Sequence, residues 1–320
     1  MQVDLTAVLD HVRTLGWGMA AVLGVYLLSF LADTFAWQLL IKPVRLKWSW
    51  FYALWKVRMV GAAVNRMTPF VGLAGEPVKA VLLKKVYGLN YSEGIASLIV
   101  AKTANLISLV IFLAGGLILT NASDHLSQTY QLIINIGFAV LAFGIAVVFA
   151  VQRLQLSSVV GGWFSRQRFG SRLADVLHHI ERLDERLVES YSQDRKKFAS
   201  AVVLSLANWM LGAVELYLIF WFFDHPISMA EALSIEAVVE LVRACAFFIP
   251  AGIGAQEGAL VLIIWPITGQ PPLGLAVALV RRLREILWIA WGGAIGWRFS
   301  GQMGRSNWLS NAAPKSSPIT

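Results

Sequence analysis

Ten charged side chains occur in stretches that are otherwise apolar enough to enter a lipid bilayer. A charge at the centre of a bilayer costs at least ~2.5 kcal/mol on insertion scales, so each of these groups requires an opposite charge, a ligand or water. We therefore expect all of them to face the interior of the protein. The ten are Asp33, Glu76, Lys79, Lys102, Glu215, Glu257, Arg281, Arg282, Arg284 and Glu285.

Two of these acids, Glu76 and Glu257, each follow a glycine-rich break at the predicted start of a helix. Free backbone N–H groups and the positive end of the helix dipole stabilise a carboxylate, or an anionic ligand, at that position. One interpretation is that both glutamates cap their helices and pair with Lys79 or a nearby arginine. The other is that they belong to a binding site, and the glutamates alone leave both open.

The basic residues distinguish better between structural pairing and a binding site. Together with Arg243 they outnumber the acids that could neutralise them. A surplus of buried cations favours an anion, and arginine and lysine suit phosphate or carboxylate. The alternative is that Arg281 and Arg282 snorkel to an interface and contact only water. The predicted ligand-binding residues are Glu76, Lys79, Lys102, Arg243, Glu257, Arg282, Arg284 and Glu285, with Asp33 and Glu215 as further buried acids.

Signatures of covalent chemistry are absent from the sequence. The five histidines are scattered, and the single cysteine, Cys245, allows neither an intramolecular disulfide nor a cysteine-built metal site. No nucleophile elbow, phosphate-binding loop or dinucleotide fingerprint occurs. We predict that the protein is not an enzyme and has no cofactor and no metal site.

The elements that must position the charges are membrane helices. Hydrophobic residues make up 57% of the 320 positions and charged residues 14%, against about 25% charged in soluble domains. The net charge of +8 is explained by membrane orientation rather than by nucleic acid. Five apolar runs are predicted to cross the membrane, namely 16–41, 94–119, 132–151, 198–223 and 272–297.

Two further stretches, 48–86 and 229–268, are long but broken by proline and glycine, and they repeat one another. Pro69 and Pro250 each precede a glutamate by seven residues, and the two copies are offset by 181 positions. Broken backbone survives at bilayer depth only where protein or a wet cavity surrounds it. We predict an all-α polytopic membrane protein of two inverted repeats, each a helix, a re-entrant broken hairpin and a helix, as is typical of transporters.

Basic loops set the predicted orientation. Lysine and arginine cluster in the loops on one side, whereas 121–131 on the other side has neither, so the N-terminus is expected outside and the C-terminus in the cytoplasm. The segment 152–197 is predicted to contain an amphipathic helix, which either lies on the inner membrane surface or packs on its own protein. The predicted organisation is an N-terminal segment 1–15, one transmembrane domain 16–301 and a disordered tail 302–320. The domain comprises repeat one 16–119, a connecting helix 132–151, a cytoplasmic amphipathic segment 152–197 and repeat two 198–298.

The two broken stretches resemble the lysylphosphatidylglycerol synthase transmembrane-region family, the flippase-like domain. The resemblance rests on PFVGLAGEPVKA, which starts at Pro69, and on FIPAGIGAQEG, which ends at Gly258 and precedes the RRLRE run. The second stretch is similar to the hopanoid-biosynthesis-associated branch. The resemblance implies a multi-pass protein of the bacterial inner membrane that moves or holds a lipid. Because no soluble aminoacyl-transferase domain follows Arg298, we do not expect lipid aminoacylation.

One helix departs from the family pattern. Where the family has an acid–arginine pair and then a second acid, this sequence has Ala101, Lys102 and Asn105, so the cation is kept and both acids are absent. That makes a proton-coupled role for this helix doubtful.

These observations predict a transporter or flippase-like protein for a polar or anionic lipid, hopanoid-related lipids included. Its expected partner is a membrane lipid and not nucleic acid. One alternative is a non-transporting scaffold whose partners are lipid-biosynthesis proteins, and another is a permease for a soluble anion. A membrane-embedded transferase needs a base, metal or donor motif that the sequence lacks. No feature of the sequence specifies an oligomeric state.

Overall fold

The structure is a computed structural model, and it describes residues 14–41, 44–68, 74–122, 127–153, 195–246, 249 and 253–312. Within these ranges every regular element is an α-helix, as predicted. The helices are α1 Gly18–Leu40, α2 Trp48–Met67, α3 Gly75–Tyr87, α4 Tyr91–Asn121, α5 Gln128–Arg153, α6 Arg195–Phe222, α7 Met229–Cys245, α8 Ala255–Thr268 and α9 Pro271–Ala312.

Four described helices, α1, α4, α5 and α6, are long and apolar enough to cross a membrane. They correspond to four of the five predicted crossings. The fifth, 272–297, lies within α9, a helix of 42 residues that carries the RRLRE run in its middle. Its composition alone therefore does not identify it as a membrane span. Whether it crosses depends on how neighbouring helices shield these charges from lipid. Helix α9 also continues to Ala312, into the predicted tail.

Each stretch predicted as a broken hairpin consists of two helices, α2 with α3 and α7 with α8. The prolines at the two breaks, Pro69 and Pro250, lie outside the described residues. The far ends match as well, because Gly88 ends α3 at φ 69° and Gly269 ends α8 at φ 70°. Glycine adopts this left-handed backbone without the steric cost that other residues meet. The two copies thus share the way in which their second helix ends as well as their spacing.

The helices pack in pairs that join the two halves of the chain. Helix α1 packs along α6, α2 along α9, and α4 along both α6 and α7. A large apolar cluster joins α6 to α9 around Phe220, Ile235, Leu260 and Leu273, and a second joins α2, α3 and α4 around Leu54, Val57, Leu83 and Leu98. The predicted amphipathic segment falls largely outside the described residues, as do 1–13 and 313–320.

Candidate functional site

All nine described helices contribute to one cavity of about 570 Å³. That volume lies in the range of about 300 to 1,000 Å³ typical of small-molecule sites. Of the residues that the structure describes, seven cationic and six anionic side chains line it, which gives this lining a formal charge of +1. The cations are Arg58, Arg66, Lys79, Lys102, Arg243, Arg281 and Arg284, and the anions are Asp33, Glu76, Glu215, Glu236, Glu240 and Glu285.

Helical spacing brings several of these groups to one face. On α2, Arg58, Asn65 and Arg66 lie at steps that place side chains on the same side of a helix, and on α7 Glu236, Glu240 and Arg243 do the same. Each of these helices therefore presents a polar stripe to the cavity and an apolar surface to the rest of the protein.

The most buried charges form a four-residue group between α6, α7 and α9. Arg281 donates to a Glu236 carboxylate oxygen at 2.5 Å and has a Glu215 oxygen at 3.8 Å. Arg284 pairs with Glu215, and its guanidinium also lies over the Tyr26 ring, 4.0 Å from the centroid. All four charged side chains are buried. Two cations balance two anions, which satisfies charges that would otherwise be costly to bury.

A second group links α2 to α9. Arg66 forms an ion pair with Glu285 at 2.5 Å and donates to the Tyr26 hydroxyl at 3.0 Å. Glu285 also accepts from Arg282 at 3.1 Å, and Arg282 in turn pairs with Glu257. The chain of contacts therefore runs from the end of α2 to the start of α8.

The remaining anions pair with cations on α2, α3 and α7. Asp33 pairs with Arg58, Glu76 with Lys79 at 2.7 Å, and Glu240 with Arg243 at 3.0 Å. Aromatic rings cover two of these cations, because Arg58 lies 4.8 Å from the Phe30 centroid and Lys79 5.7 Å from that of Trp37. Every lining carboxylate thus has its own cation.

Lys102 is the lining cation that remains. Among the described residues it forms no ion pair, and its side chain is exposed although it lies in the spanning helix α4, because it faces the cavity. The neighbouring positions on the same helix, Ala101 and Asn105, also line the cavity.

The structure places eight of the ten predicted site residues on the cavity. These are Asp33, Glu76, Lys79, Lys102, Glu215, Arg243, Arg284 and Glu285. Glu257 and Arg282 are not among the lining residues, so the expected convergence does not extend to them. Glu257 accepts a hydrogen bond from the Gly254 amide at 2.9 Å and pairs with Arg282, which is the capping interpretation. Arg281 is only 3% exposed, so it does not snorkel.

Sequence reasoning missed four charged lining residues, namely Arg58, Arg66, Glu236 and Glu240. They lie on α2 and α7, and in both helices charged residues interrupt the apolar pattern that predicts a membrane-spanning helix. The signal that could have found them is the three-to-four-residue spacing of polar residues within each helix.

The helices and the buried charged cavity define a multi-pass helical membrane protein. The family described as lysylphosphatidylglycerol synthase TM region matches residues 1–292, and the chain belongs to that family. This confirms the family inferred from the two broken stretches.

Curated relatives extend the same assignment. A UPF0104 membrane protein of Methanothermobacter thermautotrophicus is 23% identical over 246 residues, which cover 72% of this chain and 70% of the relative. A UPF0104 membrane protein of Pyrococcus horikoshii is 21% identical over 281 residues, which cover 81% and 80%. No solved structure matches the chain.

Proposed function

We propose that this protein moves a polar or anionic lipid between the two leaflets of the cell membrane, with the headgroup passing through the charged cavity. The observation that carries the proposal is the cavity itself, which has a formal charge of +1 and is lined by every described helix. Thirteen charged groups at this position cost more to bury than apolar packing would. A protein that only held others together would not need them.

The contacts between helices support an inverted-repeat transporter. Exchanging α1 with α6, α2 with α7, α3 with α8 and α4 with α9 maps the α2–α9 contact onto α7–α4 and the α1–α6 contact onto itself. A pseudo-two-fold relation has this property. In inverted-repeat transporters the axis lies in the membrane plane and the substrate binds at the repeat interface, often beside broken helices. We assign the two breaks here to that role, with both hairpins re-entrant.

The basic residues at the described helix ends support the expected orientation. Lys84 and Lys85 lie in the last turn of α3, and Arg195, Lys196 and Lys197 begin α6. By the positive-inside rule these ends face the cytoplasm, which puts the N-terminus outside and the C-terminus inside.

The cavity restricts the chemistry of the headgroup rather than the identity of the whole cargo. The similarity of residues 248–258 to the hopanoid-associated branch makes hopanoid-derived lipids candidates, and their polar side chains would occupy the cavity. A soluble anion is the second candidate, because a cationic cavity attracts an anion whether or not acyl chains are attached to it. A scaffold of a lipid-biosynthesis complex is the third.

One reconstitution separates these candidates. The purified protein is inserted into vesicles with a fluorescent phospholipid, and dithionite is added to quench the outer leaflet. Protein-free vesicles should lose about half of the signal, whereas flipping should expose nearly all of it. Uptake of labelled phosphate into the same vesicles tests whether the protein is a permease for a soluble anion. Absence of both activities, with lipid-synthesis enzymes co-purifying, would establish the scaffold instead. Lipids retained through gentle purification, identified by mass spectrometry, name the cargo.

A further inference from the structure

Among the described residues, the charges that line the cavity pair one to one and leave one cation, Lys102, without a carboxylate. Asp33, Glu76, Glu215, Glu236, Glu240 and Glu285 each have a cation of their own, and the seventh cation is Lys102. The excess positive charge therefore lies on α4, at Lys102.

The surroundings of Lys102 are mainly cationic. The charges that act on it belong to Glu76, Arg243 and Arg58. Arg243 comes from α7, which packs on α4, and its side chain is 35% exposed while that of its partner Glu240 is 6% exposed. Lys102 and Arg243 thus both line the cavity, and an anion close to both of them would relieve their mutual repulsion.

Asn105 adds a neutral donor to this part of the cavity. It lies three residues after Lys102, one turn along α4, and also lines the cavity. An ammonium, a guanidinium fork and a carboxamide together offer donors to the two unesterified oxygens of a phosphodiester.

We propose that Lys102, Arg243 and Asn105 form a subsite for a phosphodiester in a ligand whose net charge is −1. This inference rests on the proposed function and adds the charge class of the cargo. One negative charge makes the cavity neutral, whereas a zwitterionic or neutral headgroup leaves +1 and a dianion leaves −1. Uncompensated charge is expensive in a low-dielectric site, so a singly anionic phospholipid is preferred over a zwitterionic one.

The test is binding of two lipids with identical acyl chains, phosphatidylglycerol and phosphatidylcholine, to the full-length protein in detergent, measured by native mass spectrometry. We expect the wild type to prefer phosphatidylglycerol by about tenfold, the worth of roughly one charge-assisted hydrogen bond. Lys102→Gln should lose the preference, and Lys102→Arg should keep it. The control is Lys56→Gln, which removes the same charge from a side chain that lies 4.5 Å from the Tyr52 ring centroid and is not part of the cavity lining.

Two results would overturn the subsite. One is a wild type that binds both lipids equally, and the other is a Lys102→Gln variant that elutes as a folded monodisperse species and retains the preference. Dimethyl phosphate, a soluble monoanionic phosphodiester, distinguishes the source of the ligand. Displacement of phosphatidylglycerol by it indicates a soluble cargo, and persistence of the bound lipid indicates a membrane cargo.

Transfer between leaflets is measured separately, so the two proposals fail in different ways. Preferential binding without any transfer contradicts the lipid translocase and leaves the subsite standing. Equal transfer of both lipids without a binding preference contradicts the subsite and leaves the translocase standing.

Discussion

Arg66 and Glu285 form an ion pair with an N–O distance of 2.5 Å, and this pair joins the end of α2 to the middle of α9. Glu285 also accepts from Arg282, which holds Glu257 at the start of α8. The first break lies just beyond α2 and the second just before α8. A single chain of charged contacts therefore connects the two broken segments.

Substitutions of the two partners of this ion pair should not have additive effects on stability. Glu285 is buried, so Glu285→Gln leaves the Arg66 charge without its main partner and should cost on the order of 3 kcal/mol. Arg66→Gln should have a similar effect. The double variant should be less destabilised than the sum of the singles, because each single leaves an uncompensated charge. Thermal unfolding in detergent, followed by circular dichroism, gives the three values, and strictly additive effects would contradict the coupling.

The contact between α2 and α3 should not tolerate a side chain at Gly75. A Cβ at this position would overlap the carbonyl oxygen of Gly61, and the Gly75 amide donates to the Asn65 side chain at 2.5 Å. Gly75→Ala must therefore push α3 away from α2, at a cost of about 1 to 3 kcal/mol. Leaflet transfer should fall with it, because Glu76 and Lys79 follow on α3. The matched control is Gly115→Ala on α4, where the added Cβ meets nothing within 4 Å. A Gly75→Ala variant as stable as this control would contradict the prediction.

Local spacing made much of the fold predictable. Gly88 and Gly269 occupy equivalent places in the two copies of the repeat, and both adopt the left-handed backbone that ends a helix. The order of helix, broken pair and helix followed from the apolar runs and from the proline and glycine breaks. Which helices pack together, for instance α2 with α9, requires contacts between distant parts of the chain that spacing does not encode.

The same reasoning explains why the site was only partly predictable. At about 100° per residue, Arg281 and Glu285 lie close together on α9, with Arg282 to one side of them and Arg284 to the other. Spacing alone therefore does not decide which of these two arginines lines the cavity, because that depends on how α9 packs against α2 and α8. Buried charges are a sound sign of an interior polar region, and their allocation to a ligand or to one another needs the tertiary structure.

The proposed orientation predicts opposite labelling of two helix ends. In a Cys245→Ala background, Ala122→Cys after α4 should react with a membrane-impermeant maleimide in intact cells. Arg195→Cys at the start of α6 should react only after the membrane is opened, since the proposed orientation puts the basic end of this helix in the cytoplasm. Cys245 itself is exposed and must be removed first. Equal labelling of both positions in intact cells would refute the orientation.

Two adjacent arginines should differ sharply in their importance for stability. Arg281 is buried against Glu236 and Glu215, so Arg281→Ala leaves two acids with only Arg284 between them and should cost about 3 to 5 kcal/mol. Arg282 lies outside the cavity lining with its side chain 24% exposed, and of its two partners Glu257 is partly exposed to water while the buried Glu285 keeps its ion pair with Arg66, so Arg282→Ala should cost only about 1 kcal/mol.

The two substitutions remove the same side chain from neighbouring positions of one helix, so differences in helix propensity and chain entropy cancel. Thermal unfolding in detergent should separate them by several degrees. Leaflet transfer gives an independent measure, because Arg282→Ala still breaks the link between Glu257 and Glu285 and should slow transfer without unfolding the protein. Equal loss of stability in the two variants would contradict the prediction, because it would show that Arg282 stabilises the buried charges as much as Arg281 does.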